Sequence, residues 1–147
     1  MKMIVKVDEK NLRTAAEIHS VSWKAAHRGF CSDDVIERHS VENQISYLAD
    51  GMKIGVRHFM LVDKKPVGIV SVNVNLIENL YILPDEQHKW YGTQLLRFAM
   101  ENCNGNPWLF VLENNSKAQS MYRKNGFRPT GKRQPFSDNL SELEMKI

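Results

Sequence analysis

The stretch Leu80-Tyr81-Ile82-Leu83-Pro84-Asp85-Glu86-Gln87-His88-Lys89-Trp90-Tyr91-Gly92-Thr93-Gln94-Leu95-Leu96-Arg97-Phe98-Ala99 organises this chain. It reads as a short apolar strand, a polar loop and an amphipathic helix that starts near Tyr91 or Gly92. Pro84 has no amide hydrogen and a fixed φ, so the strand's ladder should stop there. The loop then delivers the chain to a helix N-terminus, whose unpaired N–H groups and positive dipole end suit an anion, phosphate above all. An ordinary strand-to-helix connection has the same look, so the flanking sequence has to decide.

The chain has 147 residues, 42% hydrophobic and 25% charged, which suits one folded domain over 1–147 rather than a disordered segment. No apolar run approaches the ~18 residues of a membrane helix. The start, Met1-Lys2-Met3-Ile4-Val5-Lys6-Val7-Asp8, lacks the apolar core and cleavage site of a signal peptide, so the cytoplasm is expected. Cys31 and Cys103 have no Cys-x-x-Cys spacing and read as reduced structural thiols. His19, His27, His39, His58 and His88 form no metal-spaced cluster, so no metal is expected. Net charge is +3, and Lys117, Arg123, Lys124, Arg128, Lys132 and Arg133 crowd one stretch that holds no acid. That stretch suits a solvated face, a nucleic acid or a polyanionic small molecule.

In chain order, Met3–Val7 reads as a strand and Glu9 or Lys10 to Ala26 as a helix. Ser32 caps a short helix through Glu37 or Arg38, and Ser40 caps another that Asp50-Gly51 closes. Ile54–Val62 and Val67–Val74 form a hairpin around Asp63-Lys64-Lys65-Pro66, and Asn75 turns the chain into Leu76–Leu83. A helix from Gly92 to Cys103, a strand Trp108–Leu112 and a helix Ser116–Lys124 follow. Phe127–Thr130 and Leu140–Ile147 are the last strands, with a loop through Pro135-Phe136-Ser137-Asp138. This order implies a mixed α/β sheet covered by helices.

In the second informative stretch, Asn115 to Phe127, Ala118, Met121 and Tyr122 share one helix face. Asn115 is either an N-cap or a side chain freed for a ligand. Pro84-x-x-Gln87-x-x-Trp90-x-Gly92-x-x-Leu95-Leu96, followed by Asn115-x-x-Ala118-x-x-x-Tyr122-x-x-x-Gly126-Phe127, resembles the GNAT superfamily of acyl-CoA-dependent N-acetyltransferases. Ile18 to Phe30 looks like that family's first-helix segment, so the resemblance runs over essentially the whole chain.

The resemblance implies a mostly antiparallel sheet of about seven strands flanked by about four helices. Two parallel strands, Leu76–Leu83 and Trp108–Leu112, would splay to admit acetyl-CoA. The pantetheine arm would pair with backbone groups of Leu80 and Ile82, as an added strand does. The pyrophosphate would rest on amides of His88, Lys89, Trp90, Tyr91, Gly92 and Thr93. Lys89, Lys117, Arg123 or Lys124 would meet the 3′-phosphate, and Asn115 matches a CoA-contacting position. Tyr122 matches the general acid for the departing thiolate, and a backbone N–H near Ile82 would polarise the carbonyl. For the base, Glu78 precedes Leu80 by two residues and should share its face; a water chain is the other route. At Trp90 the family usually has glycine. If that position needs φ > 0, an L-residue costs ~1–2 kcal/mol there; with ordinary φ, Trp90 would cover the ligand's flank.

The expected function is therefore transfer of an acetyl group from acetyl-CoA to a primary amine of a small molecule or peptide, in a ternary complex. A CoA-binding sensor that has lost catalysis is the alternative. The expected partner is the amine acceptor, with no nucleic acid and no membrane, and a homodimer is admitted. Asp33, Asp34, Glu37 and Glu42 are expected to flank the acceptor entrance.

Overall fold

The computed structural model describes residues 2–137 and 139–147; Met1, and Asp138 of the expected last loop, lie outside them. Seven strands form one sheet: β1 (Lys2–Lys6), β2 (Arg57–Asp63), β3 (Lys65–Asn73), β4 (Leu76–Ile82), β5 (Trp108–Leu112), β6 (Arg128–Ser137) and β7 (Leu140–Lys146). Their spatial order is β1-β2-β3-β4-β5-β7-β6. Every pairing is antiparallel except β4 with β5. Among the described residues five α-helices accompany it: α1 (Leu12–His27), α2 (Asp33–Glu37), α3 (Val41–Lys53), α4 (Tyr91–Glu101) and α5 (Ser116–Lys124). None of them is long and apolar enough to cross a membrane.

Each sheet face has its own core. Ala15, Ala16 and Ile18 of α1 and Leu48 of α3 pack on Met60 and Ile69. On the other face Leu95, Leu96 and Ala99 of α4, with Tyr122 and Phe127, pack on Val70, Val72, Leu109 and Val111. Leu95 and Leu96 are fully buried, each stabilising the fold by about 1.5–3 kcal/mol.

Local chemistry explains the boundaries. Ser32 and Ser40 accept N–H bonds from Val35 and Asn43, capping α2 and α3. Gly51 does not close α3; the helix runs two residues further and ends where Ile54 and Val56 donate to the Gly51 carbonyl. The β2–β3 turn is tighter than expected, with Lys64 at φ +67 between the strands. Val74, not Asn75, takes the left-handed conformation before β4 (φ +59). Asn75 instead accepts from Trp108 N at 3.0 Å and, through Oδ1, from Gly105 N at 2.7 Å. β6 is much longer than Phe127–Thr130, because Pro135, Phe136 and Ser137 continue it opposite β7. Both cysteines carry free thiols.

Candidate active site

The site begins where β4 and β5 part. Asn75 ties their N-terminal ends together, and the ladder holds one registered pair, Leu76 with Trp108. Beyond it β4 turns its edge to open space while its other edge follows β3. A β-bulge accentuates this: Ser71 faces Glu78 but Ile69 faces Tyr81, so Asn79 and Leu80 together oppose Val70. Such a bulge bends the strand and re-aims its side chains. Asn79 sits at φ +55, a conformation asparagine tolerates better than most residues. Its Nδ2 donates to Ser71 Oγ (3.1 Å) and Tyr47 Oη (3.2 Å). Ser71 Oγ lies 2.6 Å from His58 Nδ1, whose ring is tied through Nε2 to the Leu48 carbonyl at 2.9 Å. Since a carbonyl only accepts, Nε2 carries the hydrogen and Nδ1 accepts from the serine. A buried polar relay thus clamps the bulge.

The bulge corrects the expected facing of Glu78. Alternation is broken at Asn79, so Glu78 shares a face with Tyr81, toward α1, whereas Leu80 and Ile82 pack with the α4–α5 core. Two adjoining cavities result. One, about 650 Å³, is lined by Leu80, Ile82, His88, Trp90, Tyr91, Gly92, Thr93, Lys117 and Lys124, among others. The second, about 760 Å³, is walled by Glu78 and by Trp23, His27, Phe136 and Glu142. They share Ala26, Leu80, Tyr81, Gln87, Asn115, Ala118 and Tyr122.

The first cavity suits an anion. Trp90 precedes α4 without a capping side-chain bond among the described residues, which leaves first-turn N–H groups of that helix available to a ligand. Trp90 is left-handed (φ +67) and 78% exposed, so it holds the conformation for which glycine is favoured. His88 is also left-handed, and Lys117 Nζ lies 3.3 Å from both of its ring nitrogens. The loop is braced from below. Glu86 accepts from Lys65 and Lys89, each at 2.9 Å, and Tyr91 donates to Asp63 at 2.6 Å. Lys89 is thereby held on Glu86 and lines neither cavity, nor does Arg123. The basic stretch divides further: Arg133 pairs with Glu113, and Arg128 donates to the carbonyls of Arg123 and Phe127.

Tyr122 stands where the cavities meet, and a helix-stop motif fixes it there. Gly126 at φ +99 lets its N–H reach Arg123 O and the Phe127 N–H reach Tyr122 O, the paired bonds of a Schellman ending. Phe127, fully buried, packs edge-on against the Tyr122 ring at 6.0 Å. No hydrogen bond takes the Tyr122 hydroxyl among the described residues, and burial pushes its pKa up to about 12. Asn115 is the cap of α5: its Oδ1 accepts from Ala118 N at 3.1 Å, and the residue also faces both cavities.

In the second cavity burial raises the Glu78 pKa, an effect opposed by a hydrogen bond from Asn73. Asp33, Asp34, Glu37 and Glu42 line neither cavity, and Glu42 pairs with Arg13. The acids of the wall are Glu78 and Glu142. Sequence reading missed Glu142, Tyr81, Trp23, His27 and Phe136. For Tyr81 a signal existed in its place on β4, but the others come from α1, β6 and β7, which only the fold brings together. Among the described residues no group of three or more His, Cys, Asp or Glu side chains is placed to hold a metal.

The comparisons agree with this fold. No curated protein matches the sequence. Among solved structures, PaiA N-acetyltransferase from Thermoplasma acidophilum, in complex with coenzyme A, superposes with a TM-score of 0.73 at 24% identity, covering 99% of this chain and 98% of that one. YncA from Salmonella typhimurium, solved with acetyl-CoA, gives 0.76 at 15% identity over 100% and 93% of the two chains. A GCN5-related N-acetyltransferase from Rhodopseudomonas palustris gives 0.77 at 18% over 99% and 94%. At these identities the likeness is one of fold. The model of the acetyltransferase (GNAT) domain matches residues 50–129, from the end of α3 into β6 and so across both motifs, Pro84–Leu96 and Asn115–Phe127. The chain belongs to the GNAT acetyltransferase domain family.

Proposed function

We propose that this protein, as one domain over residues 1–147, transfers the acetyl group of acetyl-CoA to a primary amine by direct attack in a ternary complex. The observation that carries the reading is the parting of β4 from β5 with the unpartnered Tyr122 hydroxyl at the junction of two cavities. The cavity beside α4 would take the cofactor, its pyrophosphate on the amides of His88–Thr93 and its pantetheine along Leu80 and Ile82. Lys117 and Lys124 are the cations there, and Asn115 a further contact. That relatives of this fold were solved with CoA and acetyl-CoA supports this choice of ligand.

The amine nitrogen attacks the thioester carbonyl carbon, forming C–N as C–S breaks. Glu78, on the acceptor side, takes the proton lost by the nitrogen, and a raised pKa makes it a better base. Tyr122 donates its phenolic proton to the departing thiolate. A phenol with a pKa near 12 stays protonated until that thiolate forms. The products are the N-acetylamine and free CoA.

Release of CoA thiol from acetyl-CoA across an amine panel tests the reading. Tyr122→Phe should lower kcat by roughly 10²–10⁴-fold while acetyl-CoA binding measured by calorimetry is kept. Full activity of Tyr122→Phe would remove the general-acid assignment. A second reading, a CoA-binding sensor without catalysis, draws on the left-handed Trp90 where the family usually has glycine. Tight acetyl-CoA binding with no thiol release for any amine would select it.

A further inference from the structure

The walls of the acceptor cavity carry an unusual charge balance. They hold two carboxylates, Glu78 and Glu142, and no lysine or arginine. His27 does not compensate: its Nδ1 lies 2.8 Å from the Trp23 carbonyl and so carries the hydrogen, and burial lowers its pKa, which keeps the ring neutral. Elsewhere in the protein, Glu86, Glu113 and Glu144 each pair with a lysine or arginine. Glu78 and Glu142 have only neutral amide partners among the described residues, Asn73 and Gln134 respectively, the latter at 2.9 Å.

The two acids line the same cavity. Glu142 stands opposite Leu112 on β7, and its neighbour Leu143 packs into the α4–α5 core, so Glu142 points to the same sheet side as Glu78. β5 lies between β4 and β7, so the strands that bear the acids are about 10 Å apart before the splay widens them. The same cavity has an aromatic wall: His27 is stacked between Trp23 (3.9 Å) and Phe136 (5.4 Å), and Phe30, 53% exposed, lines it too. Resting on the acetyltransferase reading above, we infer that the acceptor is a small alkyl diamine. Its reacting nitrogen lies at Glu78, its carbon spacer along the rings and its distal ammonium at Glu142. A free amino acid or an acidic peptide would bring a carboxylate into a cavity that already holds two.

The test compares diaminobutane, butylamine and aminobutanoate as acceptors, reading CoA thiol release. Diaminobutane should exceed butylamine in kcat/KM by roughly tenfold to hundredfold, the range of one charge-assisted hydrogen bond, and aminobutanoate should be the poorest. Glu142→Gln keeps an oxygen for Gln134 but loses the charge. It should erase the diamine's advantage, mainly through KM, lowering kcat/KM for diaminobutane by at least about tenfold more than for butylamine. Equal rates for diamine and monoamine, or an equal loss for both in Glu142→Gln, would overturn the inference and leave the acetyltransferase reading standing. So would transfer to other amines of a broad panel with none to diaminobutane. No transfer to any amine by protein that binds acetyl-CoA would overturn both.

Discussion

Replacing Trp90 by glycine should make the protein more stable and leave its cofactor affinity nearly unchanged. At φ +67 and ψ 7 the residue pays for a left-handed backbone, about 1–2 kcal/mol for an L-residue relative to glycine. Glycine returns part of this, about 0.5–1 kcal/mol, through the greater freedom of its unfolded chain. The indole is 78% exposed, so its removal forfeits little burial. The net gain is roughly 0.5–1 kcal/mol, a rise in Tm of about 1–4 °C for a chain of this size. Strain already present in the free protein does not change on binding, and N–H groups survive a side-chain change, so the Kd for acetyl-CoA should stay within about threefold. Scanning calorimetry reads the first quantity and titration calorimetry the second. A fall in Tm would refute the backbone-strain reasoning. A Kd weakened tenfold or more would refute the view that main-chain amides hold the phosphates and would make the indole a ligand contact.

Three more perturbations probe other parts of the site. Burial raises the Glu78 pKa, so the acidic limb of the kcat/KM profile should lie above the ordinary carboxylate range, and Glu78→Gln should abolish that limb with a roughly 10²–10⁴-fold loss. Retention of both rate and limb would point to a water chain. Burial, aided by His39, His58 and His27, pushes the His19 pKa down to about 4. The unfolded histidine takes up a proton near pH 6.5 while the folded one does not, so stability present above pH 6.5 falls as pH drops toward 4, by up to about 3 kcal/mol. His19→Phe, kept between the Tyr47 and Tyr81 rings, should show a correspondingly smaller loss in urea titrations at the two pH values; an identical loss would sink the assignment. Asn79→Ala removes the side chain that clamps the bulge in β4 and favours its left-handed backbone. A stability loss of about 1–3 kcal/mol together with reduced kcat is expected, and an unchanged kcat would show that the bulge does not need the clamp.

Local patterns were legible wherever neighbours in sequence determine the outcome. β5 and α5 fall where apolar residues, caps and stops put them, Trp108–Leu112 and Ser116–Lys124. Ser32, Ser40 and Asn115 cap because their side chains reach N–H groups three residues on. Gly126-Phe127 ends α5 and anchors Tyr122 by the same local logic. The order of such elements implied a mixed α/β sheet, and the pair of motifs marked the family, whose resemblance supplied the seven strands and the parallel pair.

What only the tertiary structure decided depends on partners distant in sequence. Strand alternation predicts that Glu78 and Leu80 share a face, but the bulge opposite Val70 turns Glu78 toward α1, and its clamp draws on Tyr47, His58 and Ser71. Glu142, His27 and Phe136 meet because β7 inserts between β5 and β6 and α1 crosses the same sheet face. The stretch Leu80–Ala99 could announce an anion-ready helix start. That its loop is braced by Lys65 and Asp63, and that Trp90 sits left-handed at its end, required contacts made through space.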